Sequence, residues 1–162
     1  DITISNSVAT TTLMTFQITT STLIGNNIVR ARIYFSTLTW NDSVDTTFFT
    51  LTYGSSTAGR LQISPATNDA QKGYMDIIIG AAGASNSQYS TMSVDMNSTS
   101  FQSTTGTIRI SNTNHLFGYT ANTSAVSATS SQNLVLLIKQ STSSANFATT
   151  MDSFYAEKVI FE

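Results

Sequence analysis

The sequence predicts an all-β protein, an antiparallel β-sandwich of jelly-roll type with about nine strands, formed as a single domain over residues 1–162. Three observations carry that expectation. Period-two alternation of apolar and polar residues recurs along the chain, while stripes at the 3.6-residue helical spacing are scarce. Clusters of Gly, Asn and Ser separate the alternating runs at regular intervals. Roughly a third of the residues are Ser or Thr and only 10% are charged, so neutral hydroxyls must supply the solvated surface, as they do on pleated, half-buried strands.

The elements follow in order. Ile2–Ser5 reads as a first short extended piece, and Leu13–Ile18 as a strand with Met14, Phe16 and Ile18 on one face. The turn Gly25-Asn26-Asn27 leads into Val29–Phe35, where Val29, Ala31, Ile33 and Phe35 point one way and Arg30, Arg32 and Tyr34 the other. Phe49, Leu51 and Tyr53 alternate with threonines, and the Gly- and Ser-rich stretch 54–59 turns the chain onto Leu61 and Ile63, ahead of the single proline, Pro65. Met75, Ile77 and Ile79 form the next apolar face, and 80–86 reads as a connection of small residues. Met92, Val94 and Met96 define another strand, and Ile108 and Ile110 flank Arg109. Residues 111–131 read as a long polar loop carrying Leu116, Phe117 and Tyr119. Leu134, Leu136 and Ile138 begin a strand whose other face, Val135 and Leu137, is also apolar, which predicts a central position. A last strand ends in Val159, Ile160 and Phe161. No fixed repeat period is evident, which disfavours propellers and solenoids.

Composition narrows function mainly by exclusion. The formal net charge is −2 and the seven Lys and Arg residues are scattered, unlike the clustered basic footprint of a nucleic-acid binder. Without Cys there is neither a disulfide framework nor a thiolate metal site. No apolar run approaches the ~20 residues of a membrane-spanning helix, so no membrane span is expected. The first residue is Asp1, as in a processed product or a piece of something longer.

The runs 29–34 (Val-Arg-Ala-Arg-Ile-Tyr), 51–54 (Leu-Thr-Tyr-Gly), 72–79 (Lys-Gly-Tyr-Met-Asp-Ile-Ile-Ile) and 83–88 (Gly-Ala-Ser-Asn-Ser-Gln) resemble a β-sandwich domain of phage tail-fibre and virion-appendage proteins. The likeness spans roughly residues 24–160 and lies in strand pattern and turn residues, without a catalytic motif. It implies a structural protein on the outside of a particle, often trimeric. The chain has no heptad stalk and no Gly-X-Y shaft.

Each candidate site also has an ordinary structural role open to it. The single histidine, His115, reads as a loop residue, and no serine sits in a Gly-x-Ser-x-Gly elbow, so no catalytic residue and no enzyme activity is expected. Paired carboxylates of the glycosidase kind would have to come from Asp42, Asp45, Asp69, Asp76, Asp95, Asp152, Glu157 or Glu162, and Asp76 and Asp95 read as outward strand acids. Asp42 and Asp45 lie close enough in the loop 41–45 for a calcium site, but the loop lacks the Gly and distal Glu of the calcium-loop pattern, so no metal and no cofactor is assigned. Trp40, Tyr89 and Tyr119 are the candidates for a sugar-stacking platform, although Trp40 is better suited to plugging the sandwich edge. Asn41, Asn97 and Asn122 head Asn-x-Ser/Thr triplets in expected loops and are candidate glycosylation sites. Ile2, Thr3 and Ile4, within the segment 1–12, form a terminal strand that could be donated to a neighbour's sheet edge or serve as an edge of its own sheet.

These readings lead to a non-enzymatic structural subunit of an extracellular or virion-surface assembly, partnered by copies of itself. The alternative is a carbohydrate-binding module that recognises cell-surface glycans.

Overall fold

The computed structural model describes residues 2–5, 8–40, 47–65, 69–96, 101–102, 110–112, 115–141 and 148–160. The described residues contain no helix and form twelve strands. Nine are seven residues or longer: β2 (Thr11–Ile18), β3 (Ile28–Trp40), β4 (Thr47–Tyr53), β5 (Ser56–Pro65), β6 (Asp69–Ala84), β7 (Ser87–Met96), β10 (His115–Ser124), β11 (Gln132–Gln140) and β12 (Ala148–Val159). Three are short: β1 (Ile2–Ser5), β8 (Phe101–Gln102) and β9 (Ile110–Asn112). The expectation of about nine strands in an all-β sandwich therefore matches the long strands.

The strands form two antiparallel sheets, in the orders β1-β12-β3-β6-β7-β10-β9 and β2-β11-β4-β5-β8. The pairs β1–β12, β2–β11, β3–β6 and β4–β5 are nested like the rungs of one long hairpin. That hairpin is rolled until β12 also pairs with β3 and β11 with β4, which is the jelly-roll wrap. The segment β7–β10 is inserted between β6 and β11 and widens the first sheet.

Alternation explains why these residues form these strands. In β4, Thr47, Phe49, Leu51 and Tyr53 are buried, with half-buried residues between them. In β3, Val29, Ala31, Ile33 and Phe35 face inward, as the sequence predicts, and pair with inward residues of β6. The two inner faces share one apolar core, with Phe35 and Phe49 meeting edge to face at 5.8 Å between ring centroids. β11 lies between β2 and β4, the central position its two apolar faces require.

Bulges adjust the fit. Leu13 is the extra residue where β2 pairs with β11, which is why both Leu13 and Met14 are buried. Ala58 is the extra residue opposite Leu51 and Thr52, and the hydroxyl of Ser90 on β7 donates to its carbonyl across the sandwich. A bulge at Asp152 places Phe154, Ala156 and Lys158 opposite the inward residues Ile33, Ala31 and Val29. Phe154 and Lys158 are nonetheless exposed, because the second sheet does not cover this end of β12.

Three expectations are corrected. Residues 111–131 are not a long loop: β9 and the ten-residue β10 occupy most of the segment, and β10 pairs with β7 from Leu116 to Ser124. Its polar residues disguise it, since a strand on a widened sheet wing needs no continuous apolar face. The stretch 80–86 is not a connection, because β6 continues to Ala84 and only Ser85 and Asn86 turn. The last strand begins at Ala148 and ends at Val159, short of Ile160. Ile108 and Arg109 lie outside the described residues.

Candidate functional site

Two surfaces stand out. The first is the side of the sandwich formed by both N-terminal strands: β1 is the edge of one sheet and β2 the edge of the other. Ile2–Ser5 pair with Ala148–Met151 of the same chain, so Ile2, Thr3 and Ile4 serve as an edge of their own sheet, with Ile4 buried. Thr3 and Thr150 stack across the pair at 3.4 Å between hydroxyls. β2 is hydrogen-bonded to β11 on one side only, and its sequence, Thr-Thr-Leu-Met-Thr-Phe-Gln-Ile, contains no charge and no proline. Thr12, Thr15 and Gln17 are exposed along it. Val8, in the link between β1 and β2, and Phe154, on β12, are exposed large apolar residues.

The second surface is the outer face of the seven-stranded sheet, and the strand register builds it row by row. Tyr155, Arg32, Asp76 and Ser93 are consecutive cross-strand partners on β12, β3, β6 and β7. The next row is Ser153, Tyr34, Tyr74 and Asp95, and on the other side lies Glu157, Arg30, Ile78 and Thr91. The row beyond holds Val159, Ile28, Gly80 and Tyr89. Five of the chain's seven basic and nine acidic residues thus lie in these rows of one face, with four tyrosines among them.

At the centre Arg32 grips Asp76 with both ends of its fork, Nε to Oδ1 at 2.6 Å and Nη2 to Oδ2 at 2.5 Å. Its guanidinium also lies 4.2 Å from the centroid of the Tyr74 ring. Arg30 reaches the same carboxylate at 3.5 Å, and its Nε is buried without a partner. The Tyr74 hydroxyl donates to Asp95 Oδ2 at 3.0 Å, and the Tyr34 and Tyr74 rings stand 6.4 Å apart. Burial pushes the Asp76 carboxyl up, but the hydrogen bond from Arg32 and the charges of Arg32 and Arg30 outweigh it and hold Asp76 below the usual carboxylate range. The hydrogen bond to Asp76 in turn raises Arg32, and the one to Asp95, with burial, raises Tyr74. Asp76 and Asp95 do face outward as strand acids, but each is held by a partner side chain.

Tyr89 belongs to this face. Its ring tip lies across Gly80, where a Cβ would stand 2.5 Å from the ring, so only glycine leaves room for it. The other sugar-stacking candidates are not gathered around it. Trp40 ends β3 opposite Asp69, eleven positions along β6 from the Gly80 that faces Tyr89, a strand distance of over ~30 Å. Tyr119 lies on β10 opposite Ser93, in the register row of Asp76 and Arg32. His115 opens β10 and Asn122 lies within it, so neither is a loop residue. Asn41, Asp42, Asp45 and Asn97 lie outside the described residues. Among the described residues no three His, Cys, Asp or Glu side chains gather as a metal-binding group, and no helix is long and apolar enough to cross a membrane.

Sequence reasoning marked Tyr89 but passed over Tyr34, Tyr74 and Tyr155. The signal was present, because Arg30, Arg32 and Tyr34 alternate with the inward residues of β3. What alternation cannot supply is the register that sets Asp76 and Tyr155 beside them. Comparison with protein-family models, with curated proteins and with solved structures gave no match to this chain.

Proposed function

We propose that this chain is a non-enzymatic structural subunit that associates with copies of itself in an extracellular or virion-surface assembly. The observation that carries the reading is β2, an eight-residue edge strand with neither charge nor proline. Exposed edges present unpaired backbone groups to any strand that arrives, and natural sheets normally guard them with Lys, Pro or inward charges. β12, which β1 leaves unpaired beyond Met151, carries Lys158 there, whereas β2 has no charge and no proline and only the bulge at Leu13 interrupts it. Strand addition at β2 supplies backbone hydrogen bonds to the arriving strand, and the exposed Thr12, Thr15 and Gln17 lie along it.

The test adds the missing guards. Thr15→Lys with Gln17→Lys alters two exposed positions, where substitutions usually change stability by about 0.5 kcal/mol or less. Light scattering of the parent chain should report a dimer or larger assembly, and the guarded variant should be monomeric with an unchanged melting temperature. A parent chain that stays monomeric at tens of micromolar, or a guarded variant that associates like its parent, would overturn the reading.

A further inference from the structure

We propose that the outer face of the seven-stranded sheet binds a neutral glycan, with Tyr34 and Tyr155 as stacking surfaces beside the fixed Arg32–Asp76 pair. The face lies on the opposite sheet from β2, so the proposal stands independently of assembly through that edge.

The argument rests on how the cluster is built. Arg32 is held from three directions, by both oxygens of Asp76 and by the Tyr74 ring, so its remaining donor capacity has a fixed orientation. Tyr74 is itself tied to Asp95, which locks the ring on which Arg32 rests. Groups held this way lose little freedom when a ligand arrives, and that preorganisation favours weak, hydroxyl-rich ligands. Around this centre Tyr34 and Tyr155 are each 39% exposed, far more than an aromatic ring buried for packing. Tyr155 faces Arg32 in the same row on the neighbouring strand, and Tyr34 stands one row along on Arg32's own strand. Rings that present one apolar surface beside a polar tip suit a sugar, whose own faces are apolar and whose rim carries hydroxyls.

Charge decides the class of glycan. Asp76 neutralises Arg32, and Arg30 shares the same carboxylate, while Asp95 and Glu157 add acidic groups nearby. With the exposed Lys72 on the same face of β6, three cations (Arg30, Arg32, Lys72) stand against three acids (Asp76, Asp95, Glu157), so the face's charges balance and a neutral ligand complements it. Tyr89, lying across Gly80, stands three rows from Tyr34, about 20 Å along the strands. It offers a further ring to an oligosaccharide several units long, which gives the site an extended rather than a single-sugar character.

The experiment probes an array of immobilised neutral and acidic hexose oligosaccharides with the chain in its Thr15→Lys, Gln17→Lys background, and follows any hit by titration. The proposal expects neutral oligosaccharides to bind. Tyr34→Ala and Tyr155→Ala should each weaken that binding roughly two- to tenfold, and Arg32→Lys, which keeps charge but loses the fork, should weaken it too. Thr52→Ala, on the outer face of the other sheet, should not. Circular dichroism of each variant confirms folding. Absence of neutral binders, binding confined to acidic oligosaccharides, or binding indifferent to Tyr34 and Tyr155 would each overturn the proposal. So would a change in parent-chain oligomer size on Tyr34→Ala with Tyr155→Ala, since it would assign the face to a second copy.

Discussion

At the scale of single residues, the fold depends on side chains that stand in for missing backbone. Gln88 is wholly buried on β7, and its amide bonds both backbone groups of Val126: Nε2 donates to the carbonyl at 2.7 Å and Oε1 accepts from the N–H at 3.1 Å. It thereby gives the segment after β10 the pairing a strand would have supplied, while the Ala128 N–H, bonded to the Ser85 carbonyl, fixes the same segment one step further on. Gln88→Leu leaves two buried backbone groups unpaired, and each such loss costs about 1–3 kcal/mol. A fall of about 2–4 kcal/mol in unfolding free energy, read as a lower urea midpoint at constant slope, is the expected result. Nothing in the sequence singled out this glutamine, because its partner lies 38 positions away in a segment with no periodicity. Asp76 acts through charge instead, on the side chains of Arg30 and Arg32. Its folded-state pKa is depressed, so ionised Asp76 stabilises the protein fully above the unfolded carboxylate value of about 4. That contribution disappears as pH falls below about 4 and through the depressed folded value. Urea titrations at pH 6, 4 and 2 should show Asp76→Asn less stable than the parent at pH 6, with the gap narrowing as pH falls below about 4. Parallel lines for the two proteins would mean that the Arg32 fork contributes nothing to stability.

At the scale of elements, legibility followed burial. β3, β4 and β11 were readable because one or both faces are pressed into the core, and β3 and β4 alternate cleanly as a result. β10 was not readable, because it extends a sheet wing where pairing with β7 does the work that an apolar face does elsewhere. β6 hid its last turn for a related reason: Gly80-Ala81-Ala82-Gly83-Ala84 looks like a linker, yet Gly80 is small because Tyr89 covers it. The same physics made half of the candidate surfaces visible. An unguarded edge can be suspected from a run such as Thr11–Ile18, but whether that run is an edge at all depends on the order of strands. The tyrosine face needed the register of four strands before its members became neighbours. Asp76 lies 46 positions from Arg30 and 44 from Arg32, and only the β3–β6 pairing brings it within their reach.

At the scale of the whole molecule, the nested pairing sets an order in which the chain can close. β4 and β5 meet across the two-residue turn Gly54-Ser55, whose first residue takes the left-handed φ of 55° that glycine tolerates. β1 and β12 meet across nearly the whole chain, with Thr3 and Thr150 separated by 147 positions. Loop-closure entropy must be met before such distant contacts form, so β-rich folds of this kind refold over milliseconds to seconds. The inner hairpins close at least entropic cost, and the outermost pair completes the roll. In the guarded background, where association does not intervene, Leu51→Ala on β4 should slow refolding, since its contacts form before the rate-limiting barrier. Ile4→Ala on β1 should leave the refolding rate nearly unchanged and express its loss of stability as faster unfolding. Each substitution removes a buried aliphatic side chain and costs about 2–5 kcal/mol, enough to divide cleanly between the two rates in stopped-flow urea jumps. If Ile4→Ala slows refolding in proportion to its destabilisation, the terminal strand is part of the nucleus and the roll closes from its outside inward. A terminal strand that docks late is also the one most readily exchanged, so the unfolding branch of Ile4→Ala bears directly on whether β1 can leave β12 while the rest of the sandwich stays folded.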